Sequence, residues 1–78
     1  MSNEVERVII DPEILNGKPS IRGTRVSVQT VVEYLSNGDS IEEVLENYPS
    51  LTRDDVLASL KFAANMMDHK FIVEPLAV

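Results

Sequence analysis

The chain has no cysteine and no tryptophan. No disulfide and no thiolate-bound metal can brace it. It has one histidine, His69, and no second His or Cys at a ligand spacing from it. No apolar run approaches the ~18 residues of a membrane span. The polar, acidic start Met1-Ser2-Asn3-Glu4 predicts no export signal, and the expectation is a soluble cytoplasmic protein. Positive charge is scarce, with 7 Lys and Arg against 13 Asp and Glu, a net charge of −6. Nucleic-acid domains usually carry a basic stripe, because phosphate neutralisation supplies much of their affinity. General DNA binding by the chain alone is therefore disfavoured, and a basic protein partner fits better. The 78 residues make one domain. A single core at this size rarely supplies more than roughly 3–5 kcal/mol, so oligomerisation or a bound partner is the expected supplement.

Against that acidic background one stretch is cationic. Asn16-Gly17-Lys18-Pro19-Ser20-Ile21-Arg22-Gly23-Thr24-Arg25 holds two of the three glycines and three of the seven Lys and Arg residues. Its glycines predict tight turns rather than a helix. Lys18, Arg22 and Arg25, with the nearby amides, have the chemistry to hold a phosphate or a carboxylate cluster. The spacing is not that of a P-loop. The plainer reading has the arginines pairing with Asp11, Glu13 or Glu33 and pinning the loop to the helices. Both can hold at once.

Residues 1–7 read as a polar lead-in. Val8-Ile9-Ile10 is strand-like, and a second short strand around Val26–Val28 could pair with it. Asp11-Pro12-Glu13 is a turn, closed by Asn16-Gly17. Val28, Val31, Val32 and Leu35 then fall on one helical face, stopped by Asn37-Gly38. Ser40 with Glu43 is a capping box for a second helix bearing Ile41, Val44, Leu45 and Tyr48. Thr52, followed by Asp54 and Asp55, starts a third and longest helix, Arg53 to Met67. Its expected apolar stripe is Val56, Leu60, Ala63 and Met67, widened by Leu57 and Ala64. The fold class is mainly α: three helices behind a short N-terminal β element. The joint Pro49-Ser50-Leu51 has helix-turn-helix spacing, which an ordinary αα corner shares. The segment after Met67 carries apolar Phe71-Ile72-Val73 behind Lys70 and reads as a tail. It packs on its own domain, crosses to a twin subunit, or lies on another protein.

No catalytic constellation stands out. Glu42, Glu43, Glu46, Asp54 and Asp55 are explained by helix starts and solvated faces. Ser20, Thr24, Ser27 and Thr30 have no evident activating base. The expectation is no enzyme, no cofactor and no metal. On the third helix Arg53, Lys61 and Asn65 could face outward. Asp54 and Asp55 sit where a helix-turn-helix reads bases, and would repel phosphates.

Three strings carry a family resemblance: Asp11-Pro12-Glu13-Ile14-Leu15, Gly17-Lys18-Pro19-Ser20-Ile21-Arg22-Gly23-Thr24-Arg25-Val26, and Ile41-Glu42-Glu43-Val44-Leu45-Glu46-Asn47-Tyr48-Pro49. They resemble the bacterial family catalogued as domain of unknown function 433 (DUF433), from about Val8 to Met67. Asn16 stands where a glycine is usual and Ser27 where a proline is usual; losing that proline is expected to loosen the entry to the first helix. The resemblance implies a homeodomain-like helix-turn-helix over 8–67. It also implies a VapB-like antitoxin of a type II toxin–antitoxin pair, with a PIN-like ribonuclease toxin as partner. On that reading a homodimer or higher oligomer contacts operator DNA through Lys18, Arg22, Arg25, Arg53 and Lys61. The tail, 68–78, neutralises the toxin through Lys70, Phe71, Ile72 and Val73, an assignment the family strings do not reach. The alternative is a protein-interaction or oligomerisation module with no DNA contact.

Overall fold

The computed structural model describes residues 6–68. Two short strands, β1 (Val8–Ile9) and β2 (Ser20–Ile21), precede three helices, α1 (Val28–Ser36), α2 (Ile41–Asn47) and α3 (Arg53–Met66). Each helix begins where a side chain can receive its orphan amides. Ser27 Oγ accepts from the Thr30 N–H, Ser40 and Glu43 form a reciprocal capping box, and Thr52 and Asp55 form another. Where a proline is usual, Ser27 caps α1 instead, its hydroxyl accepting the Thr30 N–H at 3.0 Å.

The strand pairing differs from the sequence reading. β1 pairs antiparallel with β2, Val8 opposite Ile21 and Ile9 opposite Ser20, rather than with Val26–Val28. Val26 instead folds back on β2: the Ile21 N–H donates to the Val26 carbonyl, and Ser20 bridges to Ser27. The reversal between them is tight. Thr24 donates its N–H and its hydroxyl to the Ile21 carbonyl, and Gly23 sits at φ +80°, the pattern of a type II turn. Arg7, read as part of the lead-in, belongs to this unit: its carbonyl accepts the Arg22 N–H at 2.8 Å.

Upstream, Leu15, Asn16 and Gly17 have φ of +52°, +58° and +84°. This is a single left-handed turn, in which Leu15 is the unusual member. Asparagine tolerates the conformation because its short polar side chain can bond locally. Asn16→Ala is therefore expected to cost about 1 kcal/mol, and Asn16→Gly close to nothing. Urea unfolding of the two variants checks this. Equal midpoints would show that the left-handed turn carries no strain.

The core is small and rich in β-branched residues. Ile21, Val28, Val31, Val44, Leu51 and Val56 are buried together, and Tyr34 and Tyr48 pack edge-to-face beside them with ring centroids 5.6 Å apart. The buried face of α3 keeps Val56 and Ala63 of the stripe expected from sequence but not Leu57, Leu60, Ala64 or Met67. It runs Asp55, Val56 and Ser59, continued by the half-buried Phe62 and Ala63, while Leu57, Leu60 and Met67 are exposed. Two polar groups made this face hard to recognise. Asp55 turns inward to cap the helix, and the Ser59 hydroxyl donates to the Asp55 carbonyl at 3.0 Å, so both are satisfied without water. Among the described residues, no helix is long and apolar enough to cross a membrane.

Candidate functional site

The cationic residues do not gather into one site. Lys18 donates to Gln29 Oε1 on α1 at 3.4 Å. Arg22 is held by the backbone, its Nε donating to the Glu6 carbonyl at 2.6 Å. Neither arginine pairs with Asp11, Glu13 or Glu33 among the described residues. The loop is thus pinned to the start of the chain and to α1 by other partners than those expected. Arg25 is exposed and makes no hydrogen bond or ion pair among the described residues. On α3, Arg53 meets Glu42 at 3.4 Å, an exposed contact of little energetic weight. Lys61 and Asn65 share a shallow cleft with Glu6.

The N-terminus of α3 was expected to repel phosphates through two carboxylates. The structure halves that expectation. Asp55 is nearly buried and receives Arg7 Nη1 at 3.1 Å, while Asp54 faces solvent with Arg7 Nη2 3.7 Å away. Arg7 therefore sits against both acids, a role that sequence reading gave to no residue. No short-range spacing signals it, because Arg7 and Asp55 are 48 positions apart.

What the surface offers instead is apolar. Leu57 and Leu60 are 43% and 37% exposed on one face of α3, with the exposed Ala64 following at the same helical phase. At the C-terminal end of α3, Phe62, Ala63, Met66 and Met67 face Pro19, Val28 and Val32 across a groove of about 480 Å³. Sequence reading placed Met67 in the core stripe and overlooked Met66. The signal that could have found the groove is the phase of Phe62 and Met66, four apart and in step with Ser59. The expected toxin-contacting residues Lys70, Phe71, Ile72 and Val73 lie outside the described residues. Among the described residues no three acidic side chains gather as a metal-binding group.

The arrangement of loop, hairpin and three capped helices has relatives. The family described as "Protein of unknown function (DUF433)" matches residues 8–63. The chain belongs to the DUF433 family. The match takes in both strands, the cationic loop, α1, α2 and α3 as far as Ala63, and stops short of Met66 and Met67. A curated relative, "Uncharacterized protein y4eO" of Sinorhizobium fredii, is 44% identical over 61 residues. The alignment covers 77% of this chain but 28% of that protein. The crystal structure of a DUF433 member protein from Anabaena variabilis superposes with a TM-score of 0.73 at 35% identity, over 77% of this chain and 59% of that one. The DUF433 unit described here thus spans under two thirds of both relatives.

Proposed function

We propose that this DUF433 chain is a protein-binding module of the antitoxin kind, whose partner is a PIN-like ribonuclease. One observation carries the reading. The exposed face of α3 carries the apolar row Leu57, Leu60 and Ala64, with Arg53 at its head and Lys61 at its edge, too few cations for a DNA-reading helix and enough apolar surface for a protein contact. Such a row takes an apolar protein surface, and the chain's net charge of −6 suits a basic partner. The PIN-like identity of that partner rests on the family resemblance. A PIN-type site is a carboxylate cluster, and Lys70 with Phe71-Ile72-Val73 is the segment proposed to reach it.

The test is co-expression of the tagged full chain with the product of the neighbouring gene, expected to be a PIN-like ribonuclease. Co-purification and relief of growth arrest are expected, with Leu57→Glu plus Leu60→Glu weakening the complex at least about tenfold. No complex with the wild-type chain would overturn the proposal. The second reading, operator binding by a dimer, draws on the cationic loop and the unpaired exposure of Arg25 among the described residues. A gel shift on the protein's own promoter, lost in Arg22→Ala plus Arg25→Ala, would favour it.

A further inference from the structure

The last turns of α3 carry core-facing side chains with little beneath them. Phe62, Ala63 and Met66 continue the phase of Val56 and Ser59, yet Met66 is 55% exposed and the adjoining Met67 65%. With Pro19, Val28 and Val32 opposite, these residues form the groove of about 480 Å³, so it is an extension of the core rather than an isolated patch. Its rim on α1 is charged and ordered. Lys18 Nζ lies 3.4 Å from Gln29 Oε1, and Gln29 Nε2 lies 3.1 Å from Glu33 Oε2. A carboxylate, and through Gln29 the Lys18 ammonium next to the lining Pro19, therefore lie along one edge of an apolar trough.

The chain leaves α3 at this same end. The Asp68 N–H donates to the Asn65 carbonyl, closing a turn at the helix terminus. Ten residues follow Asp68, and Phe71 is the third of them. Three extended residues reach about 10 Å, enough to bring Phe71 over the groove. The segment also has matching chemistry. Phe71-Ile72-Val73 is a continuous apolar run, preceded by Lys70 and followed by Glu74. The rim offers Glu33 and Lys18 for those two charges.

We propose that Phe71–Val73 folds back onto its own chain and fills the groove between α1 and α3. Alternation along an extended segment puts Phe71 and Val73 on the groove side and Lys70, Ile72 and Glu74 on the outer side, from which the two long charged side chains bend to the rim. Tethering favours this occupant. A segment three residues from its site acts at an effective concentration in the millimolar range, whereas a second copy also brings a net charge of −6. The inference concerns the isolated chain and stands independently of any toxin. If both readings hold, the segment that blocks the ribonuclease is stored on the groove until the partner draws it off.

The experiment uses the full chain with methyl-labelled methionine. The sequence has only three methionines and two phenylalanines, so the spectrum is simple. Nuclear Overhauser contacts between the Met66 or Met67 methyl and the Phe71 ring are expected, unchanged on tenfold dilution. Phe71→Ser should abolish them and move both methyls to the shifts of exposed methionine. Absence of the contacts in the wild-type chain overturns the proposal, whatever the variant does. Contacts that fade on dilution together with a dimeric mass in sedimentation also overturn it, because the occupant is then a second copy. Failure of the ribonuclease pull-down bears on neither result.

Discussion

Ile21→Ala is expected to leave a large part of the protein unfolded at room temperature. Ile21 is 1% exposed and shares the core with Val31, Val44 and Val56, each fully buried. Truncating a buried isoleucine to alanine costs about 2–5 kcal/mol, the lost transfer energy plus the cavity. A domain of this size has roughly 3–5 kcal/mol in total. The two are comparable, so the variant falls near or past its own midpoint before any denaturant is added. The site leaves little room for collapse, because Ile21 is also pinned through its backbone. Its N–H donates to the Val26 carbonyl, and its own carbonyl accepts two bonds from Thr24. The cavity would open directly under the cationic loop. Urea unfolding followed by circular dichroism checks this: the wild-type chain should show a folded baseline and the variant almost none. A midpoint shift worth less than about 1 kcal/mol would mean that the hairpin, not Ile21, holds β2 to the helices. A partner that binds only the folded chain should restore the variant by mass action, which links this measurement to the proposed function.

The three helices were legible in the sequence because each has a local start or stop signal beside its apolar period. Ser40 with Glu43, Thr52 with Asp55, and Asn37-Gly38 depend on residues within a few positions of one another, and the observed bounds follow them closely. The strand pairing was only partly legible. Val26 and Val28 have better strand propensity than Ser20, but the connection through the left-handed turn Leu15–Gly17 brings Ser20–Ile21 opposite Val8–Ile9, and the type II turn at Gly23 folds Val26 back on Ile21 before α1 starts at Val28. The face of α3 was only half legible, Val56 and Ala63 lying inside as expected and Leu57 and Leu60 outside, for a physical reason. Period alone ranks Leu57 and Leu60 above Asp55 and Ser59, whose polar groups find partners inside: the Asp55 carboxylate takes the Thr52 N–H and Arg7, and the Ser59 hydroxyl donates to the Asp55 main-chain carbonyl. The cations of the expected site were each identifiable, but their dispersal was not, since it depends on contacts to Glu6, Gln29 and Glu42 from other elements. Arg7 had no local signal at all.

The second large effect is expected at that long-range contact. Asp55 performs two tasks with its two oxygens. Oδ2 accepts the Thr52 N–H at 2.9 Å, completing the capping box, and Oδ1 accepts Arg7 Nη1 at 3.1 Å. Asp55→Ala removes both. Losing the reciprocal half of the capping box, while Thr52 Oγ1 still accepts the N–H of residue 55, costs at most about 1 kcal/mol. A charge-assisted bond to a nearly buried carboxylate would add about 1.5–3 kcal/mol, but the Arg7 side chain is 42% exposed, so solvent screens it and about 1 kcal/mol remains. The sum, at most about 2 kcal/mol, corresponds to a fall in Tm of up to about 8–16 °C for a domain of this size. Arg7→Ala should lose only the second part, and Asp55→Asn should keep most of the cap. The double-mutant cycle separates the two: a coupling energy near 1 kcal/mol between Arg7 and Asp55 is expected. A coupling near zero would show that the pair merely touches, and that α3 is anchored by its cap alone. The consequence extends past stability. Leu57 lies two residues beyond Asp55, in the first turns of the same helix, so fraying at Thr52 blurs the apolar row proposed to meet the partner. Arg7→Ala should then weaken partner binding more than its surface position suggests, while Leu57→Glu should weaken binding and leave Tm almost unchanged. Binding and melting measured on both variants distinguish a residue that positions the helix from one that touches the partner.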